Sequence, residues 1–73
     1  MDKFDYLIEG QENIIRASKD PNAYSVVYSR SGRNVYDVAV QHQDGSYIES
    51  AYDLDYECIE TIKRRVSILV EWT

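Results

Sequence analysis

Cysteine is all but missing from this chain. Cys58 stands alone among 73 residues, so no internal disulfide can support the fold. Histidine is as scarce, with only His42. One His and one Cys cannot supply the clustered ligands of a zinc site. Glycine occurs three times and proline once, which leaves no flexible linker and no low-complexity segment. Apolar runs never approach the ~20 residues of a membrane span. Basic residues are outnumbered: 8 Lys and Arg face 13 Asp and Glu, a net charge of −5. Contact with nucleic acid draws on Lys and Arg that release phosphate counterions, so an acidic chain points to a basic protein partner or to solubility.

The composition itself is globular, with 44% hydrophobic and 29% charged residues. A chain of this length forms one domain, residues 1–73, and buries roughly 60% of its unfolded surface. The opening MDKFDYLIEG carries acids where a secretory leader needs bases. The expectation is a complete, soluble, cytoplasmic protein without membrane contact.

The stretch Asp53–Trp72 organises the reading. Cys58, Ile59, Ile62, Val66, Leu69 and Val70 recur at helical spacing. Asp53 or Asp55 can cap the start. Acids come early and Lys63, Arg64 and Arg65 late, which suits the helix dipole. Glu60 and Arg64 form an i, i+4 pair. Asp53, Glu57, Glu60 and Arg64 then fall opposite the apolar face. Val66, Ile68, Val70 and Trp72 also alternate as a strand would. No Gly, Pro or Asn breaks the chain between Arg65 and Val66, which favours a continued helix.

Residues 2–19 read as a first helix. Its apolar face is Phe4, Leu7, Ile8, Gln11, Ile14 and Ile15, and the opposite face holds Asp2, Asp5, Glu9, Glu12 and Arg16. Gly10 lies off both. Asp20-Pro21-Asn22 ends it. Three strands follow: 23–30, 35–41 and 46–50. Tyr24, Val26 and Tyr28 share one face of the first, with Val27 on the other. Ser31–Asn34 is a turn, and Asp44-Gly45 predicts a type I′ hairpin. The fold class is α+β: a three-stranded antiparallel sheet flanked by an N-terminal and a C-terminal helix, α-β-β-β-α, with room for an extra C-terminal strand. Both helices are expected on one face, leaving an open face with Val27, Ala39 and Tyr47 as a contact surface.

No catalytic residue, cofactor site or metal site emerges. Asp53-x-Asp55-x-Glu57 opens like a calcium loop, but Cys58 replaces the required Gly and Arg64 the required Glu. No phosphate-binding loop or nucleophile elbow is present. The element order resembles the double-stranded-RNA-binding domain, which places a Lys-rich cluster at the start of its second helix; Asp53, Asp55 and Glu57 occupy that position here and would repel RNA.

Tyrosine is plentiful, with seven residues, four of them beside an Asp. From Glu49 to Glu60 there are five acids and no base. Tyr supplies contact area at low entropic cost, so Glu49, Tyr52, Asp53, Asp55, Tyr56, Glu57 and Glu60 form the candidate protein-binding site. The plainer reading is that several Tyr fill the core and the acids only solvate a helix. In size, acidity and helix–sheet–helix pattern the chain resembles small acidic phage-encoded inhibitors that occupy the nucleic-acid-binding surfaces of host defence proteins. That resemblance implies an anti-defence nucleic-acid mimic acting on a Lys/Arg-rich groove. A small homodimeric structural or regulatory protein is the alternative.

Overall fold

Two helices and four strands alternate in the order α1 (Lys3–Ala17), β1 (Ser25–Gly32), β2 (Val35–Gln41), β3 (Tyr47–Leu54), α2 (Tyr56–Arg65) and β4 (Leu69–Glu71). The computed structural model describes residues 3–72, and side chains from residue 8 onward. The readings made at Asp2, Phe4, Asp5 and Leu7 therefore lie outside the described residues and side chains. The layout is the expected α-β-β-β-α, and the extra C-terminal strand for which it left room is present as β4. The sheet order is β3-β2-β1-β4, antiparallel except for the β1–β4 pair, which is parallel.

That fourth strand corrects the continued helix read over 66–72. Helix α2 stops at Arg65, and Val66 takes extended angles while its N–H still bonds Ile62 O. The apolar spacing that suggested one helix serves two elements. Ile59 and Ile62 are buried in α2, whereas Leu69 pairs with Val26 in the sheet. A β-branched run with no helix-breaking residue was resolved by tertiary pairing: Val26 N donates to Ile68 O at 3.2 Å and Trp72 N to Tyr28 O at 2.9 Å.

One sheet face is covered by both helices. Ile14 and Ile15 from α1 meet Val26, Tyr28, Val38, Val40, Ala51 and Leu54 from the sheet and Cys58, Ile59 and Ile62 from α2. Each fully buried aliphatic side chain there is worth about 1.5–3 kcal/mol of transfer free energy. Gly10 sits inside this packing, not off it: a Cβ on it would lie 3.4 Å from Ala51 Cβ. Ile8 sits at the rim and is exposed.

Two irregularities in β3 set its faces. Register shifts occur between Val40 and Gln41 and between Tyr36 and Val38. At the second, Asp53 adopts φ 60°, a left-handed conformation that Asp tolerates better than most residues. Simple alternation from Ala51 inward would put Leu54 outward. The extra residue of the bulge returns Leu54 to the core, where it is fully buried. Strand β3 thus runs to Leu54, not to Ser50, and Asp53 belongs to a strand rather than to the start of a helix.

The turns also depart from expectation. Strand β1 begins at Ser25, so Tyr24 is not on the core face and is exposed. It continues through Gly32, and Asn34 takes the positive φ of 54° in the tight turn. In the second hairpin only Gly45 has positive φ, at 90°, whereas type I′ needs two such residues. Gly45 N instead bonds His42 O and His42 N bonds Ser46 O, the pattern of a three-residue loop closed by a left-handed Gly. Asp44 Oδ1 accepts from Ser46 N and Ser46 Oγ, and those bonds, the hydroxyl's first, hold its carboxyl below the ordinary value.

Candidate protein-interaction surface

The strand register decides which side chains share the uncovered face. Val27 pairs with Ala39 and with Val70, and Ala39 pairs with Ser50. Ser29 pairs with Asp37. Gln41 pairs with Tyr47. Tyr52 stands two residues beyond Ser50 and Trp72 two beyond Val70, so period 2 places both on the same face. Small residues therefore occupy the two central strands, while aromatic rings rise from the outer ones. With strands about 4.8 Å apart, β3 and β4 are separated by roughly 14 Å. The result is a shallow depression of about 130 Å³ lined by Ser29, Asp37, Ala39, Tyr47, Ser50, Tyr52 and Trp72.

Its floor is closed and its walls are open. Val27 and Ala39 are buried although no helix covers them. Tyr47 is 63% exposed, Tyr52 55%, Val70 51% and Trp72 38%. None of the open-face register positions from Ser25 to Trp72 carries Lys or Arg. The carboxylate here is Asp37, and its Oδ1 accepts the N–H of Asp53 at 3.3 Å. The bulge thus sets the backbone of Asp53 against Asp37, which lines the aromatic depression.

The seven residues expected to form one site divide into groups. Tyr52 and Asp53 join the open face and its rim. Asp55 turns inward as the N-cap of α2, accepting Cys58 N at 2.9 Å; its carboxylate serves the fold. Tyr56 and Glu57 are exposed on the first turn of α2. Tyr56 N donates to Asn34 Oδ1 at 2.9 Å, tying the helix start to the first turn. The Glu60 carboxylate, as hydrogen-bond acceptor and as charge, raises the Tyr56 hydroxyl above its ordinary value. Glu60 pairs with Lys63 at 3.5 Å, while Arg64 bonds the Glu60 backbone oxygen and not its carboxylate. Glu49 lies at the far end of β3, opposite Val40. Asp53, Glu57 and Glu60 therefore do not form one helical stripe.

Val27, Ala39 and Tyr47, expected on the open face, lie on it, and Asp37 and Trp72 join them there. Asp37 was visible in the alternation of β2. Trp72 required knowing that 69–72 pairs with β1.

Cys58 is buried, and desolvation, with the Asp55 carboxylate next, pushes its thiol up to about 11, far from a reactive thiolate. His42 Nδ1 sits 3.3 Å from Asn22 O beside the second hairpin. Among the described residues no group of three or more His, Cys, Asp or Glu could hold a metal ion, and no helix is long and apolar enough to cross a membrane. No family model, curated protein or solved structure matches the chain.

Proposed function

We propose that this chain is a non-enzymatic, cytoplasmic protein-binding module that presents carboxylates and aromatic rings to a basic partner, as an inhibitor seated in a Lys/Arg-rich groove would. One observation carries the reading: the uncovered sheet face displays three exposed aromatic residues, with Asp37 in the depression between them, the Asp53 backbone bonded to Asp37, and no cationic residue among them. Aromatic residues dominate interface hot spots. Carboxylates add charge complementarity and speed encounter with a basic partner. A nucleic-acid-binding face would need Lys or Arg for phosphate; this one has the opposite sign.

The test is capture of basic proteins from lysate by three forms of the chain. Wild type should retain a partner that elutes as salt is raised. Asp37→Asn with Asp53→Asn should lose most of it, and Asn suits the left-handed backbone at 53. Glu57→Gln with Glu60→Gln removes the same charge from α2 and should retain it. Loss in the α2 variant alone would move the contact to the helix. Equal loss in both would leave only the overall field.

A second reading, self-association, is favoured by one feature. The outer strand β4 and its flanks expose Ile68, Val70 and Trp72, on an edge that can add a strand from another copy. Sedimentation across concentrations tests it, and a constant monomer mass would remove it.

A further inference from the structure

We infer that the depression between Tyr47, Tyr52 and Trp72 is a receptor for an arginine side chain projected by the partner. The inference rests on the protein-binding reading above and names the group that the open face takes. Three observations converge on it. The depression is lined by three exposed aromatic residues drawn from opposite edges of the sheet. The ring pairs formed among the described residues, Tyr28–Tyr36 and Tyr36–Tyr56, lie elsewhere, so these three rings stand around the depression instead of closing on one another. Finally, Asp37 stands in its lining, spending one oxygen on the Asp53 N–H.

A cation is attracted to ring faces, and the attraction grows as it is desolvated. Guanidinium suits this place better than ammonium. It is planar and weakly hydrated, it stacks on aromatic rings, and its fork of N–H donors matches a carboxylate. The small floor made by Ser29, Ala39 and Ser50 lets such a flat group approach the sheet. The net charge of −5 favours the encounter. An apolar side chain would gain the rings but would desolvate the Asp37 carboxylate without supplying a countercharge.

Trp72 is the only tryptophan and lines the depression, so its fluorescence reports occupancy directly. The probes are two blocked peptides of equal length and charge, one carrying arginine and one lysine. The arginine peptide should change Trp72 emission saturably and bind at least roughly fivefold more tightly than the lysine peptide. Asp37→Asn keeps an oxygen for the Asp53 N–H and should abolish most of that preference. Tyr52→Ala, at a residue 55% exposed, should do the same with no loss of fold by circular dichroism. Equal binding of both peptides, unaltered by either variant, would overturn the pocket while leaving a basic-partner module intact. Binding by neither peptide would overturn the pocket, while the capture of basic proteins described above decides the protein-binding reading separately. Emission that shifts with protein concentration alone, with doubling of mass, would assign the face to a second copy and overturn the inference.

Discussion

The two faces of the sheet are made from the same strands and do opposite work. On the side under the helices, Val26, Val38, Val40 and Leu54 are almost fully buried among Ile14, Ile59 and Ile62. On the other, small central residues leave Tyr47, Tyr52, Val70 and Trp72 exposed. Period 2 makes this separation automatic along β1 and β2. Along β3 it needed the Asp53 bulge, which returns Leu54 to the core while Tyr52 stays outside. The contrast teaches that aromatic content is a poor guide to the core here. The interior is built mostly from Ile, Val and Leu, with Tyr28 as its one buried ring among the described residues, and much of the other aromatic surface is left for something else.

Two positions of β3 on either side of Asp53 give the largest test of that division. Leu54→Ala should cost about 2–5 kcal/mol, the usual range for a fully buried Leu. Tyr52→Ala should change stability by no more than about 0.5 kcal/mol, as surface substitutions do. Urea unfolding of both variants measures the difference. Similar losses would mean that the open face is structural and not a contact surface.

Cys58 sharpens the covered side. Its removal as Cys58→Ala should cost about 1 kcal/mol near neutral pH. The folded thiol holds its proton up to about 11 against an ordinary 9.0. A raised folded value means that the thiol's contribution is complete below pH 9 and is lost as pH climbs from 9 towards 11. The stability gap between wild type and Cys58→Ala should therefore be flat below pH 9 and narrow above it. Subtracting the variant removes the titration of Tyr and Lys, which both proteins share. A gap that stays constant to pH 11 would place the thiol in contact with water. Rapid labelling of native protein by a thiol reagent at pH 8 would say the same.

Much of this division could be read in the residues. The strand expected over 35–41 matches β2 to the residue, and Cys58, Ile59 and Ile62, which share a helical face in the sequence, are the buried residues of α2. What escaped was whatever depended on partners distant in sequence. Residues 66–72 suit helix and strand alike until β1 offers an edge. Asp53 looked like a helix-starting acid because local spacing carries no signal for a bulge whose N–H is met by Asp37, 16 residues away. The acid-rich run from Glu49 to Glu60 was visible as composition, but it spans a strand, a bulge and a helix, so linear proximity did not become one surface. Trp72 joined the open face by the same long-range pairing that formed β4.

The smallest effect should carry the opposite sign and probes how tightly the covered side is closed. Gly10 lies in the middle of α1, where Gly is about 1 kcal/mol less favourable than Ala. Its place among the core contacts explains why a small residue is tolerated. An added Cβ would meet Ala51 Cβ at 3.4 Å and Leu54 Cδ2 at 3.5 Å. The first is at the edge of ordinary contact, so the helix or β3 must yield slightly. The propensity gain should outweigh that adjustment, and Gly10→Ala should stabilise the protein by roughly 0.5 kcal/mol. Ala51→Gly removes the tighter neighbour, at its own cost. In that background the gain from Gly10→Ala should rise towards the full propensity value, and the difference between the two gains measures the crowding. If Gly10→Ala destabilises wild type but stabilises the Ala51→Gly variant, α1 and β3 are fitted too closely for one methyl. If the gain is the same in both backgrounds, the helix can lift freely from β3, and the covered face is less tightly closed than its buried side chains imply.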